Sequence, residues 1–377
     1  MDFSLAEEQE MLRKSARDFL TTECPKELVR EMVKDETGFP RELWKRMAEL
    51  GWLGLLIPEK YDGCGMGFLD LVVLVEEMGR ACLPGPFFST VVLGGLTILE
   101  AGNQQQKQEL LPKLAQGELL LTLALTEPEG EYTAEGIKTK AIEKDGTLFI
   151  QGTKLFVPDA HVSDYIICAA RTAESESPED GITLFLVDGK APGVHCTLLK
   201  AIAGDKQCEV LFDDVRVQQS QIVGELNKGW SVLERVLKKA TIARCAEMLG
   251  GARQVLEMTV DYAKERKQFD RPIGSFQAIR HYCANMVTEV DGCFLITYEA
   301  AWKLSRGLPV SQEVSMAKAY LSEKFRAIAT LAHQIHGAIG FTEDHDLPLY
   351  FKRAKAWEDS FGDSLFHLNK VAKLAGI

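Results

Sequence analysis

From Ser231 to Phe269 the chain reads SVLERVLKKATIARCAEMLGGARQVLEMTVDYAKERKQF, a run without proline whose apolar residues recur at helical spacing. A helix of that length cannot cover its own apolar flank. It requires other helices beside it, and helices so long and apolar form bundles that bury a face against another subunit. Two further runs, SFQAIRHYCANMVTEVDGCFLITYEAAWKLSR and SQEVSMAKAYLSEKFRAIATLAHQIHGAIG, divided by Gly307-Leu308-Pro309, supply the neighbours. The C-terminal part, residues 229–377, is therefore read as a helical bundle.

The texture before it is different. LLLTLALT, GTLFIQG, DYIICAAR, ITLFLVD and CEVLFDDVRV are short β-rich runs separated by Gly, Asp or Pro. They predict a β-module over residues 121–228, with Lys144-Asp145-Gly146-Thr147 as a hairpin turn. Residues 1–120 read as helical again. In SLAEEQEMLRKSARDFL, Leu5, Met11, Leu12, Ala16 and Leu20 keep helical spacing, and Ser4 with Glu7 resembles a capping box. RELWKRMAELGWLGLLIP and FLDLVVLVEEMGRAC continue the pattern, QQQKQELLPKLAQGE closes it, and Gly51 and Leu83-Pro84-Gly85-Pro86 break it. The expected fold is mainly α with a central β-barrel or β-sandwich module, in three domains: 1–120, 121–228 and 229–377. Junctions between modules of this kind favour ligand sites.

Composition narrows the partners. A formal net charge of -12 over 377 residues argues against nucleic acid or an anionic membrane as the main partner. No apolar run reaches the roughly 18 residues of a membrane span, and MDFSLAEEQEML lacks the basic and apolar regions of a secretory signal. The nine cysteines are scattered without a CxxC pair, which reads as free thiols in a reducing cytoplasm. No metal site is expected: His333 and His336 lack a third ligand at a recognisable spacing.

Six fragments, in order, then carry a resemblance over essentially the whole chain: LALTEP, GIKTKA and GTKLFV in the β-module, and YAKERKQF with RPIGSFQAIRH and QIHGAIGF in the bundle. The chain resembles the acyl-CoA dehydrogenase family. The resemblance implies a helical N-domain, a β-domain and a C-terminal four-helix bundle, with FAD held between β-module and bundle. It also implies an acyl-CoA substrate, α,β-desaturation with hydride transfer to FAD, an electron-transfer flavoprotein as electron acceptor, and a tetramer. On this resemblance Thr126 looks to the flavin's pyrimidine side and Phe156 takes the aromatic position beside the flavin. Arg266, Phe269, Gln277, Gln334, Gly337 and Gly340 match FAD-contacting segments, largely serving a neighbouring subunit. Each also has a plain reading: ERKQF as a solvated helix end, Gly337 and Gly340 as helix terminators.

Departures from the family pattern are equally informative. After TEP the chain has Glu129-Gly130-Glu131-Tyr132, with Tyr132 where Ser is expected and two acids that repel a pyrophosphate unless they point away. Pro158 stands where a Thr donates near the reactive flavin nitrogen and offers neither hydroxyl nor N–H. Asp270 replaces a Gly. In KRAKAWEDSFGDS, Phe361 falls on the usual catalytic Glu, with Gly362 and Ser364 matching its neighbours. The alternative position for that Glu, on the first long bundle helix, is Ala240, followed by Thr241. The remaining candidate base is Glu247, on the same helix face as Ala240 and displaced by about 10.5 Å along the axis. Its apolar surroundings would raise its pKa, whereas Arg244 one turn earlier offers an ion pair instead. An oligomer contact or a contact with a polar acyl tail are the other readings of Glu247. Glu358, Asp359 and Asp363 are read as solvated.

Three functions follow: an FAD-dependent acyl-CoA dehydrogenase with Glu247 as its base, a non-catalytic partner subunit of a heterotetramer, or an acyl-CoA-binding member with non-oxidative chemistry.

Overall fold

The computed structural model describes residues 4–377. Along the chain run α1 (Glu7–Glu23), α2 (Lys26–Lys34), α3 (Arg41–Glu49), α4 (Phe68–Ala81), α5 (Leu96–Ala101) and α6 (Gln104–Ala115). The β-module follows with β1 (Leu121–Ala124), β2 (Lys140–Lys144), β3 (Thr147–Pro158), β4 (Tyr165–Arg171), β5 (Ile182–Asp188), β6 (Val194–Leu199), β7 (Gln207–Val217) and β8 (Ile222–Val223). Then come α7 (Gly229–Glu265), a two-residue pair β9 (Lys267–Gln268) and β10 (Arg271–Pro272), and the helices α8 (Gln277–Ser305), α9 (Ser311–His336), α10 (Leu347–Glu358) and α11 (Ser364–Leu374). The order helix, sheet, helix is the one the sequence predicts.

The chain forms two compact units. One gathers the N-terminal segment to Glu31, residues 67–83 and residues 241–377; the other gathers residues 32–66 and 84–240.

In the second unit the strands form one sheet in the order β6-β7-β3-β2-β4-β5-β8, with β1 paired to β4. The β2–β3 hairpin turns at Asp145 and Gly146, both left-handed (φ 51° and 76°), as an Asp-Gly type I′ turn requires. Ile150, Val157, Ile166, Cys168, Phe185, Val210 and Phe212 make its core. Lys154 shares that buried setting, fully covered in the middle of β3. A Cβ on Gly94 would sit 2.3 Å from Leu121 Cβ, so this glycine lets the buried segment before α5 close on β1.

In the first unit, α4 and α7 cross with glycine on both sides of the contact. A Cβ on Gly79 would meet the Glu247 carbonyl oxygen at 2.1 Å, and one on Gly250 would meet the Glu76 oxygen at 1.8 Å. Gly251 receives the Phe325 ring of α9, whose Cζ would lie 2.6 Å from an added Cβ. The crossing therefore runs backbone to backbone, and it buries Glu76 and Glu77 completely. Each carboxylate is met by cations: Arg253 Nη1 lies 2.9 Å and Arg13 Nη2 3.9 Å from Glu76, while Tyr298 donates to Glu76 at 2.6 Å. Arg17 grips Glu77 with two bonds of 2.9 and 2.7 Å.

Two local expectations are corrected and one break is confirmed. The N-cap of α1 is Ala6 rather than Ser4: the Gln9 side chain reaches back to the Ala6 N–H at 3.1 Å, a reach that Glu7 cannot make from inside the first turn. The break expected at Gly51 is present: the helix through RELWKRMAE stops at Glu49, Gly51 turns left-handed (φ 77°) and the chain bends away over residues 50–56. The long run ends at Glu265, since Phe269 and Asp270 take φ 53° and 60° to turn β9 into β10.

A Gly250→Ala substitution tests the crossing. Its methyl group would meet backbone rather than a movable side chain, so destabilisation of at least ~1–3 kcal/mol is expected, read as a fall in the thermal unfolding midpoint. Gly146→Ala, at an open turn position with no atom within 4 Å, should cost less.

Candidate active site

The segment after α10 is a tight turn built around two residues with positive φ, Phe361 (61°) and Gly362 (102°). For a bulky side chain such as Phe361 this conformation is strained and persists only where its surroundings enforce it. Two buried side chains do so. Lys318 of α9 donates to Ser322 Oγ (2.7 Å), the Glu358 carbonyl (2.7 Å) and the Gly362 carbonyl (3.0 Å), so all three ammonium protons are used. His367 of α11 donates from Nε2 to the Phe361 carbonyl at 3.0 Å. Asp363 caps α11 by accepting from the Phe366 N–H at 2.7 Å. Burial holds the Lys318 ammonium down to about 8. Burial, with the charge of Lys318 added, pushes the His367 imidazole down to about 4.

The acids of this segment are engaged or exposed. Glu358 pairs with Arg326 at 2.8 Å and with Lys355; Asp359 and Asp363 are exposed. Burial, followed by the charge of Glu358, raises the Asp359 pKa.

Glu247 stands on α7 with its backbone pressed against Gly79. Its carboxylate pairs with Arg244, and both side chains are 13% exposed. The Arg244 guanidinium in turn lies over the Trp357 ring at 4.9 Å, opposite Arg353 at 5.3 Å. A chain of contacts thus runs from Glu247 to the last turn of α10. Ala240 and Thr241 are buried and carry no carboxylate.

The expected cofactor residues fall into separate groups. Gln334 and Gly337 line a cavity of about 570 Å³ whose walls include His333, Phe341 and Phe351. Gly337 ends α9 at φ 66°, and Gly340 is buried under His336. His336 itself stacks on Tyr262 (4.4 Å between centroids), and burial lowers its pKa. Arg266 and Gln277 are exposed on either side of the β9–β10 turn. Phe269, at the tip of that turn, is 86% exposed and meets only the edge of Phe276 at 6.1 Å. Asp270 tolerates the left-handed conformation better than most residues, which accounts for it in place of Gly.

In the β-module, the Thr126 carbonyl accepts from the Leu155 N–H at 2.8 Å. The loop is pinned by a pair that sequence reasoning passed over. Buried Glu127 receives Lys154 Nζ at 2.6 Å and the N–H groups of Lys138 and Thr139 at 2.9–3.0 Å. A lysine at the inward parity of an apolar strand was its available signal. Phe156 is left-handed (φ 55°) and half exposed beside a β3–β7 register shift. Pro158 uses its carbonyl to accept from Thr122 Oγ1 at 2.6 Å. Glu129 and Glu131 are exposed. Among the described residues no cluster of His, Cys, Asp and Glu is placed to hold a metal ion, and no helix is long and apolar enough to cross a membrane.

Comparison with known proteins matches the whole arrangement. Residues 6–118, 122–215 and 227–375 match the family descriptions "Acyl-CoA dehydrogenase, N-terminal domain", "middle domain" and "C-terminal domain". A 3-(aryl)acrylate reductase of Clostridium sporogenes is 36% identical, covering 92% of each chain. The caffeyl-CoA reductase-Etf complex subunit CarC of Acetobacterium woodii is 31% identical over 93% of this chain and 94% of its own. The structure of butyryl-CoA dehydrogenase from Megasphaera elsdenii superposes with a TM-score of 0.91 at 28% identity, covering 100% of both chains.

The buried His367 makes the fold sensitive to acid. Its folded pKa of about 4 lies below the ordinary 6.5, so between those values the unfolded chain binds more protons. The stabilisation is complete above pH ~6.5 and drains as pH falls toward 4, by on the order of 3 kcal/mol. A His367→Gln variant should show a flatter loss of stability over that range in denaturant titrations at stepped pH.

Proposed function

The chain belongs to the acyl-CoA dehydrogenase family, whose members are FAD-dependent oxidoreductases, and we propose that it interconverts saturated and α,β-unsaturated acyl-CoA thioesters with Glu247 as its acid–base group. The three-domain division 1–120, 121–228 and 229–377 goes with this reading. The observation that carries it is the Glu247–Arg244–Trp357 chain, which joins the one carboxylate in an apolar stretch of α7 to the last turn of α10, the helix that precedes the turn at Phe361. Arg244 fixes the position of that carboxylate through the ion pair, and Trp357 holds Arg244 in place.

Bound FAD would supply the hydride acceptor. The bundle residues fit it: the cavity at Gln334 and Gly337 offers aromatic walls and an exposed amide for an adenosine moiety, and Phe269 is presented clear of its own fold. An electron-transfer flavoprotein as redox partner is supported by the relative that forms an Etf complex. The same relatives support either direction of the reaction, since one is a reductase of arylacrylates.

A second reading, a partner subunit in a heterotetramer, is favoured by one specific observation. The β-module positions expected to serve the chain's own flavin carry Pro158, with no N–H and its carbonyl engaged by Thr122, and Tyr132. The residues suited to a neighbour's cofactor, Arg266, Phe269 and Gln277, are all exposed.

The absorption spectrum of the purified full chain separates the two. The first reading expects stoichiometric FAD, bleached anaerobically by a saturated acyl-CoA, with Glu247→Gln slowing bleaching by about 10²-fold or more. Unchanged bleaching in that variant removes Glu247 from the chemistry. A colourless chain that acquires flavin only with a co-expressed relative supports the second.

A further inference from the structure

Away from these residues, the β-module holds a cluster of two thiols and an imidazole. Cys196 lies on β6, the edge strand of the sheet, and is exposed; Cys208 lies on β7 and is fully buried. The β6–β7 register pairs Cys196 with Val210 and Leu198 with Cys208, so the two cysteines are diagonal neighbours on one face. Interaction with the Cys208 thiol lowers the Cys196 pKa; the same interaction, then burial, raises that of Cys208. Behind them stands His161. Its Nε2 lies 3.3 Å from the Thr37 carbonyl, which can only accept. In the neutral ring Nε2 therefore carries the hydrogen, and Nδ1 faces Cys208 Sγ at 3.8 Å as an acceptor.

We propose that Cys196 and Cys208 form a thiol–disulfide exchange site for a low-molecular-weight disulfide of the glutathione class, with Cys196 as the attacking thiol, Cys208 as the resolving thiol and His161 as the proton acceptor. The Cys196 thiolate attacks one sulfur of the small disulfide, forming a mixed disulfide and releasing one thiol. The Cys208 proton passes to His161 Nδ1, which faces its sulfur. The Cys208 thiolate attacks Cys196 Sγ, a protein disulfide forms, and the second small thiol leaves. Two protein thiols are oxidised and one small disulfide is reduced to two thiols, so the exchange balances without another reagent. Accessibility, a stabilised thiolate and an adjacent second cysteine are the marks of a redox-responsive site. Diagonal neighbours stand slightly wider than a relaxed disulfide prefers. The closing movement falls on β6, which is paired along one side only.

The test is incubation of the full chain with oxidised glutathione, read by intact mass and peptide mapping. Wild type should lose two hydrogens and yield a Cys196–Cys208 linked peptide, reversed by a dithiol reductant. Cys208→Ser should stop at a stable glutathione adduct on Cys196, and Cys196→Ser should give neither product. His161→Gln should form the adduct and resolve it about tenfold more slowly or worse. Exposed Cys64 is the internal reference, and Cys196 should react roughly tenfold faster. Equal rates at Cys64 and Cys196, or an adduct that persists on wild-type Cys196, would overturn the proposal.

Discussion

The contact on which the first unit depends is the crossing of α4 and α7 at Gly79 and Gly250. Neither position has room for a methyl group, because each faces a carbonyl oxygen of the other helix. Bringing two backbones this close decides what happens to the side chains around them. Glu76 and Glu77, one turn before Gly79, are carried into the interior, where an isolated carboxylate is very costly. That cost is offset only by cations from other elements: Arg13 and Arg17 of α1, Arg253 of α7, and the hydroxyl of Tyr298 from α8. Burial and the charge of Glu76 hold the Tyr298 hydroxyl protonated far above its ordinary range, so it remains a donor. One steric condition thus specifies the partners of four helices. It also fixes Glu247, whose own carbonyl is the oxygen facing Gly79.

Two fully buried lysines show different solutions to one problem. Lys154 meets a carboxylate, Glu127, and the pair fastens the loop that carries Thr126. Lys318 meets only neutral acceptors, a hydroxyl and two carbonyls, and its lowered pKa records how weakly such a setting supports the charge. What Lys318 provides is geometry. With His367 it holds the carbonyls on both sides of the Phe361–Gly362 peptide, and the left-handed conformation follows. Gly362 is tightly confined as well, since an added Cβ would meet the Phe366 ring at 2.3 Å.

How much of this was legible depended on range. The helix–sheet–helix order follows from periodicity, and the Asp145–Gly146 turn from residues that need no tertiary help. Gln334 and Gly337 were found by motif, and the structure gives them a common cavity. The Arg244–Glu247 pair is visible as i, i+3 neighbours on a helix. Its extension to Trp357 is not, because that ring arrives from α10. The helix stop before Gly51 was legible as a glycine break, whereas the Ala6 cap turned on local competition too fine for pattern, a glutamine reaching back. Glu76, Glu77, Glu127 and Lys154 escaped because a charged residue inside an apolar run reads as exposed until its partner, distant in sequence, is known.

The turn at Phe361 separates frame from chemistry. Its left-handed backbone is held by Lys318 and His367 through carbonyl groups, contacts that do not involve the side chain at position 361. A residue there can therefore change without the turn relaxing, and a carboxylate implied by family resemblance can be lost while its support remains. The same logic holds at Pro158, where the missing donor is tolerated because the carbonyl is anchored by Thr122 and the strand continues through Val157 and Cys208. Backbone-directed contacts conserve shape and leave side-chain chemistry free to drift. At the β9–β10 turn the side chains are under less internal constraint: Arg266, Phe269 and Gln277 are exposed, and Phe269 meets the edge of Phe276.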